Sequence, residues 1–209
     1  MFLSFYYSKK YWLSFFVLII AVAFLTACNN SKHGNQTTTN DPKGLALIYL
    51  SQNNLDEAAA AFQQAIQAAP NDITNYTSLT RLYLLKKDYN KAEAIAKSGL
   101  KIKPDDEDLK LLLAEAYIQK GNENEAENVL QKILAENAKN VSAYYELSDL
   151  KSSNFNSSVL KKYYLLKVIS LVPSNIVPRL QLIEILSNEN KTDSALFYLQ
   201  SVKKIAPGF

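Results

Sequence analysis

Cysteine and histidine each occur once in the 209 residues, as Cys28 and His33. One cysteine excludes an intrachain disulfide. Together the two cannot supply the ligand set of a zinc site. A nucleophile activated by histidine would have to use His33, which sits in a polar stretch where a solvated role is the expected one. The five glycines, at 34, 44, 99, 121 and 208, are scattered and form no phosphate loop. No acidic residue occurs in positions 1–27, where Lys9 and Lys10 are the only charges. The rest of the chain carries 21 basic and 20 acidic residues, a near balance that excludes the strongly basic footprint of a nucleic-acid binder. The acidic run at 105–108 follows Pro104 and lacks the spacing of a calcium loop. Acids in a first helical turn, complementing its dipole, account for it. Nothing in the sequence positions a pair of catalytic carboxylates, so no catalytic residue, metal or cofactor is expected.

What the chain does have begins with a long apolar run. Residues 11–25, YWLSFFVLIIAVAFL, follow Lys9 and Lys10 and precede Leu25-Thr26-Ala27-Cys28. A basic start, an apolar core and small residues before a boundary have the order of a secretory signal. The last four residues resemble the bacterial lipobox. The resemblance implies cleavage after residue 27, a diacylglycerol on the Cys28 thiol and a further acyl group on the new amine. More than one chain anchors stably where one is marginal. An uncleaved signal anchor is the alternative, since about 17 apolar residues can just span a bilayer. Both place the body outside the cytoplasm, because the lysines hold the N-terminal end inside. Asn29, rather than Asp, follows the cysteine, which the resemblance reads as outer rather than inner membrane in a two-membrane cell.

Residues 28–41 then form a tether. NNSKHGNQTTTND contains no large apolar residue and cannot join a core.

The body, 42–209, is periodic. Residues 71–104 predict two amphipathic helices in a hairpin, with Ile73, Tyr76, Leu79 and Tyr83 on one side of the first and Ala92, Ile95, Ala96, Gly99 and Leu100 on one side of the second. Asn71 and Asp72 supply an N-cap, Lys86 and Lys87 complement the dipole at the far end, and Pro104 stops the second helix. Pro70 and Pro104 are 34 residues apart, as are Pro173 and Pro207, and Ala138 stands where a proline is expected. From Ala138 to Pro173 is 35, one residue extra. Five units follow: 39–72, 73–106, 107–140, 141–175 and 176–209. One small position carries Ala46, Thr80, Ala114 and Ser148, with Ile183 in the fifth unit. A second carries Ala58, Ala92, Ala126 and Ala195, with Lys161 in the fourth, and Phe62, Ala96, Leu130, Leu165 and Leu199 come four residues later. Tyr49, Tyr83 and Tyr117 add an aromatic.

This pattern resembles the tetratricopeptide repeat, which implies an all-α fold: a right-handed superhelical array of five hairpins, each touching only its neighbours. The fourth unit departs most, with a longer turn at 151–158 and Lys161 in place of alanine, so a looser hairpin with Phe155 under the turn is expected. The resemblance also implies a concave face lined by first helices. One exposed position there gives Arg81, Glu115, Asp149 and Glu184, with Leu111, Tyr145 and Leu180 one turn earlier. These seven are the expected peptide-binding groove. Leu47 and Ser78 replace asparagines of the clamp that holds acidic chain ends, so acidic termini are not the expected ligand. The last helix, residues 193–205, has no capping helix after it and looks too apolar for one neighbour. Phe197, Tyr198, Val202 and Ile205 are therefore the expected contact of a homodimer or docking partner. The functional expectation is a membrane-anchored scaffold at the bacterial envelope that recruits proteins or peptides. The alternative is a surface lipoprotein that captures a ligand for a transporter.

Overall fold

The computed structural model describes residues 41–150 and 155–208, with the backbone alone for 155–157. Residues 155–158, expected to belong to a turn at 151–158, instead open a helix. The apolar run, Cys28, His33, the tether to residue 40, residues 151–154 and the Phe155 side chain lie outside the described residues. Those residues hold ten α-helices and no strand: α1 Pro42–Ser51, α2 Leu55–Ala68, α3 Ile73–Leu85, α4 Tyr89–Ile102, α5 Glu107–Gln119, α6 Glu123–Glu136, α7 Val141–Leu150, α8 Phe155–Leu171, α9 Val177–Asn188 and α10 Thr192–Ile205. They pair as α1/α2, α3/α4, α5/α6, α7/α8 and α9/α10, and each pair packs on the next. Consecutive first helices α3, α5 and α7 touch one another, whereas second helices of adjacent pairs make no comparable contact. First helices therefore line the inner side of the curve.

Capping sets the register. Asp72 Oδ1 accepts the Thr74 N–H at 3.0 Å, Asp106 Oδ1 the Leu109 N–H at 3.0 Å, Asn140 Oδ1 the Ala143 N–H at 2.7 Å and Asn175 Oδ1 the Val177 N–H at 3.0 Å. These short side chains satisfy donors that a first helical turn leaves unpaired. They recur every 34 residues and then after 35, so the extra residue is absorbed inside the fourth unit. Helix α1 starts only at Pro42 because proline suits the first helical position and Asp41 caps it, accepting from the Lys43 and Gly44 N–H groups.

The hairpin turns repeat a backbone device. Asn53, Lys87 and Asn190 have φ of 59° and Gly121 has 77°. Each is the left-handed residue that closes a helix end, followed by an N–H that reaches back to Tyr49, Tyr83, Tyr117 or Leu186 at 2.8–2.9 Å. Lys87 was expected to serve the helix dipole. Its position is instead the turn residue, where a non-glycine side chain costs about 1 kcal/mol.

Next to each cap stands a long buried side chain with a donor at its tip, and the two tyrosines among them tie a hairpin to the one before. Tyr76 donates to Pro70 O at 2.9 Å and Tyr144 to Ala138 O at 3.2 Å. Ala138 thus keeps the role of the proline it replaces. At the same register Lys110 reaches Glu136 on the second helix of its own hairpin, and the Arg179 guanidinium donates to Asn175 O at the start of its own helix at 2.7 Å. All four are at most 8% exposed. Ion pairs latch the other ends: Lys86 to Asp56, Lys120 to Glu93, and Lys162 to Glu189 at 2.5 Å. The last reverses polarity, with the acid beyond the first helix and the lysine on the second. Hydrogen bonds from Lys162, Lys191 and Ser158 hold the Glu189 carboxyl down at about 2.

The core is continuous. Ala46, Ala58 and Phe62 begin it, Leu109, Leu130 and Leu147 fill its middle, and Leu165, Leu182 and Val202 end it. Gly99 lies where α4 meets the next hairpin. A Cβ there would come within 2.6 Å of Leu109 Cδ1 and 2.9 Å of Tyr76 Cβ. Tyr76 is held by its hydroxyl bond, so the neighbours cannot simply retreat. Gly99→Ala is predicted to destabilise the array despite the better helix propensity of alanine, because overpacking costs about 1–3 kcal/mol against about 1 kcal/mol regained. Thermal unfolding checks this: a fall of roughly 2–4 °C per kcal/mol is expected, and an unchanged or raised midpoint contradicts the close packing.

Candidate functional site

Arg81, Glu115, Asp149 and Glu184 all project from first helices α3, α5, α7 and α9, and all are exposed. Leu111, Tyr145 and Leu180, one turn earlier, are half-buried. The seven residues do not form one uniform ladder. Arg81, Leu111 and Glu115 line a cavity of about 300 Å³ together with Asp108, Leu112, Ser142 and Glu146. Arg81 Nη2 stands 4.0 Å from Asp108 Oδ2, an exposed pair that bridges α3 and α5. Asp149 points away from this cavity toward Lys161 on α8, 3.8 Å off. Lys161 was expected to loosen the hairpin. Its stem instead lies half-buried with its ammonium at Asp149, and α7 and α8 pair as the other hairpins do. Tyr145 turns toward the last hairpin, where it packs beside Leu165 and Leu182 and its hydroxyl accepts the Asn175 Nδ2–H at 3.1 Å.

Glu146 is the residue that the sequence reading missed. It occupies the register of Ser78, Leu112 and Gln181 on the inner face, so a carboxylate sits where a repeat earlier has leucine. Burial pushes its carboxyl above the ordinary range, and the nearby Glu115 and Asp149 charges push it the same way. One position further along the array, the Gln181 Oε1 atom is buried with no hydrogen-bond partner among the described residues. The signal for Glu146 was available in the register: it is the one carboxylate in a column otherwise made of Ser78, Leu112 and Gln181. Among the described residues no group of three or more His, Cys, Asp and Glu side chains is placed to hold a metal ion.

The terminal contact requires a correction. Val202 is fully buried, because it shares with Ala195 the face of α10 that packs on α9, in the register of Ala65, Ile133 and Val168. Tyr198 is half-buried against the same hairpin and stacks edge-on with Phe197, centroids 5.3 Å apart. Phe197, Ile205 and Leu196 are exposed.

Comparison with known proteins bears on the fold. Residues 83–149 match a family model described as tetratricopeptide repeat, and residues 43–72 match another of that description. No curated protein matches the chain. MamA from Desulfovibrio magneticus RS-1 superposes with a TM-score of 0.67 at 16% identity, over 78% of this chain and 92% of that one. A tetratricopeptide repeat protein from Parabacteroides merdae gives 0.65 at 22% identity, over 94% and 77%. YrrB, described as having an unusual peptide-binding site, gives 0.60 at 18% identity, over 89% and 93%. At these identities the likeness is one of fold.

The raised Glu146 carboxyl carries a pH signature. The folded chain holds that proton to higher pH than the unfolded chain does, so this group's contribution weakens the fold as pH rises from the ordinary carboxylate value through the folded one. Glu146→Gln is predicted to be more stable than the parent at neutral pH and to lose that advantage toward pH of about 4.5. Urea midpoints of both proteins across that range check it. A difference independent of pH means the carboxyl is not held up.

Proposed function

Because the chain belongs to the tetratricopeptide-repeat family, we propose that it is a scaffold of the bacterial envelope, lipid-anchored at Cys28, that recruits a protein or peptide through the inner face of its first helices. One observation carries the binding half: Arg81, Leu111, Glu115 and Glu146 share an open cavity on the inner side of the array. Concave faces of stacked repeats are the surfaces on which such proteins bind partners. An extended segment laid there meets Leu111 and Leu112 as apolar floor, Glu115 and Glu146 as acceptors and Arg81 as a donor. YrrB, with its own peptide-binding site, supplies a fold-level parallel. The anchoring half stands on the residues before the array: the two lysines, the apolar run and the four residues ending in Cys28. They favour the non-cytoplasmic side of a membrane, the outer membrane where a cell has two. The partners are envelope proteins or peptides, without nucleic acid or cofactor, and the role is assembly rather than catalysis.

Two measurements test the two halves separately. Affinity capture from native membranes in mild detergent compares the parent with a variant carrying Glu115→Lys, Asp149→Lys and Glu184→Lys. An envelope partner held by the parent and lost from the variant is the expected result. An unchanged set of partners removes the inner face from consideration, and a small molecule held by the parent instead favours ligand capture for a transporter. For the anchor, palmitate labelling is expected in the parent and absent in Cys28→Ser. Equal labelling of the two removes the lipid.

A further inference from the structure

Helix α8 is apolar on both sides. Tyr164, Leu165 and Val168 face the core. On the opposite side Val159 is 63% exposed, Leu160 39%, Tyr163 50% and Leu166 45%. Val159, Tyr163 and Leu166 lie at i, i+4 and i+7, a single stripe along the outer surface. The register makes the stripe local to this unit. Where the fourth unit has Val159, Tyr163 and Leu166, the third has Asn124, Asn128 and Gln131, the second Asn90, Ala94 and Lys97, and the first Asp56, Ala60 and Gln63. All nine of those residues are exposed too. Three repeats thus keep an outer surface that is polar or small, and the fourth replaces it with large apolar side chains. Phe197, 65% exposed, continues the stripe at the Tyr163 register of α10. A helix apolar all round is built for contact on both sides, and the described residues cover only one.

Charge identifies the second contact. Helix α8 contains Lys161, Lys162 and Lys167 and no acid. Lys161 and Lys162 face inward to Asp149 and Glu189. Lys167 lies beside the stripe with its ammonium 5.4 Å from the Tyr163 ring centre. Lys132 holds the Lys167 register on α6, and Lys204 lies on the Phe197 side of α10. Among the described residues no carboxylate is within ion-pair distance of Lys132, Lys167 or Lys204. On the neighbouring helices Glu123, Glu125 and Asp193 sit in first turns at the other end of the stripe, and Glu136, the exposed acid at the lysine end, is paired with Lys110. Aromatic and aliphatic side chains bordered by lysines are the composition of a surface that rests in a bilayer interface. No helix of the described residues is long and apolar enough to cross a membrane, so the contact is one of lying on the surface. The exposed apolar area is on the order of 500 Å², short of the roughly 800 Å² per partner that a stable protein interface buries.

We propose that the outer side of α8 and α10, through Val159, Tyr163, Leu166 and Phe197 with Lys132, Lys167 and Lys204, is a docking surface for an anionic lipid bilayer. The inner face then opens away from the membrane, and anionic headgroups meet lysines rather than Glu115 and Glu146. This contact is separate from the groove and does not need acylation of Cys28. A link of 13 residues from Cys28 to Asp41 reaches at most about 45 Å, long enough for either end of the array to settle on the same membrane.

Position-specific fluorescence tests it in the full chain carrying Cys28→Ser. An environment-sensitive dye is placed at Ser170→Cys, on the line of the stripe, or at Gln67→Cys, its register counterpart in the first repeat. The chain is reconstituted into vesicles of phosphatidylethanolamine and phosphatidylglycerol with and without spin-labelled lipid. Several-fold stronger quenching at 170 than at 67 is expected. Tyr163→Asn with Leu166→Gln, which gives the fourth repeat the residues of the third at two exposed positions, is expected to abolish the difference while helical content is unchanged. Equal quenching at both sites, or none at 170, overturns the proposal. So does a dye at 170 that turns apolar with rising protein concentration in the absence of lipid, which assigns the face to a second copy.

Discussion

Ala46, Thr80, Ala114 and Ser148 on the first helices have no solvent exposure, and neither do Ala58, Ala92 and Ala126 on the second. Side chains this small let two helix backbones come close, and larger neighbours such as Phe62 and Leu130 then fill the space beside the contact. The hydroxyls that intrude on this seam bond within their own helices, Thr80 to Tyr76 O and Ser148 to Tyr145 O, each at 2.7 Å. They therefore ask nothing of the partner helix. Everything else in the array depends on that spacing. It fixes the hairpin angle, which sets where the next hairpin lands, which decides that first helices crowd inward and second helices spread outward.

Between hairpins the chain uses polar ties, and these are less uniform than the seam. One register carries Tyr76, Lys110, Tyr144 and Arg179, all buried: the two phenols reach back to the end of the preceding hairpin, the Lys110 ammonium pairs with Glu136 within its own hairpin, and the Arg179 guanidinium bonds Asn175 O at the start of its own helix. The chemistry varies because the requirement is only for a long arm with a donor at its tip. At the opposite ends, Lys120 reaches Glu93 while Lys162 reaches Glu189 with the charges exchanged. A junction needs opposite charges, and which helix carries which is free. This is why the family resemblance is strong at small seam positions and faint elsewhere.

The same logic explains what could be read from the sequence. The period, the small residues and the cap at Asp72 stood out because each repeats in every unit or nearly so, and the inserted residue before Pro173 stood out because it breaks that count once. Helical faces of single units were harder. Val202 looked outward when α10 was read alone, yet its register partners Ala65, Ile133 and Val168 are all in the seam, and comparing columns rather than rows would have placed it inside. Glu146 was passed over for the same reason: beside Tyr145 and Asp149 it is one more polar residue, whereas below Leu112 it is a carboxylate in a half-buried column. Lys87 is different. Its left-handed backbone leaves no mark in a lysine, and only Asn53, Gly121 and Asn190 at the same register reveal it. The ion pair of Lys161 with Asp149 depends on side-chain reach across a hairpin, which no periodicity encodes.

The departures concentrate in one place. The fourth unit holds the extra residue, the lysine in the alanine column, the half-buried Glu146 on its inner face and the apolar stripe on its outer one. A unit that served only to extend the array would gain nothing from these changes, since the first three build the same seam without them. Burying Glu146 works against stability, because a carboxylate is held there with Glu115 and Asp149 near it. Exposing Val159, Tyr163 and Leu166 works against solubility. Costs of both signs in a single hairpin, with the seam of that hairpin intact at Ser148 and Leu165, are what a repeat shows when its two surfaces are shaped by what they meet rather than by what holds them up. The inner face of α7 and the outer face of α8 are two sides of one packed hairpin, so whatever fixes the outer side also sets the direction in which the groove opens.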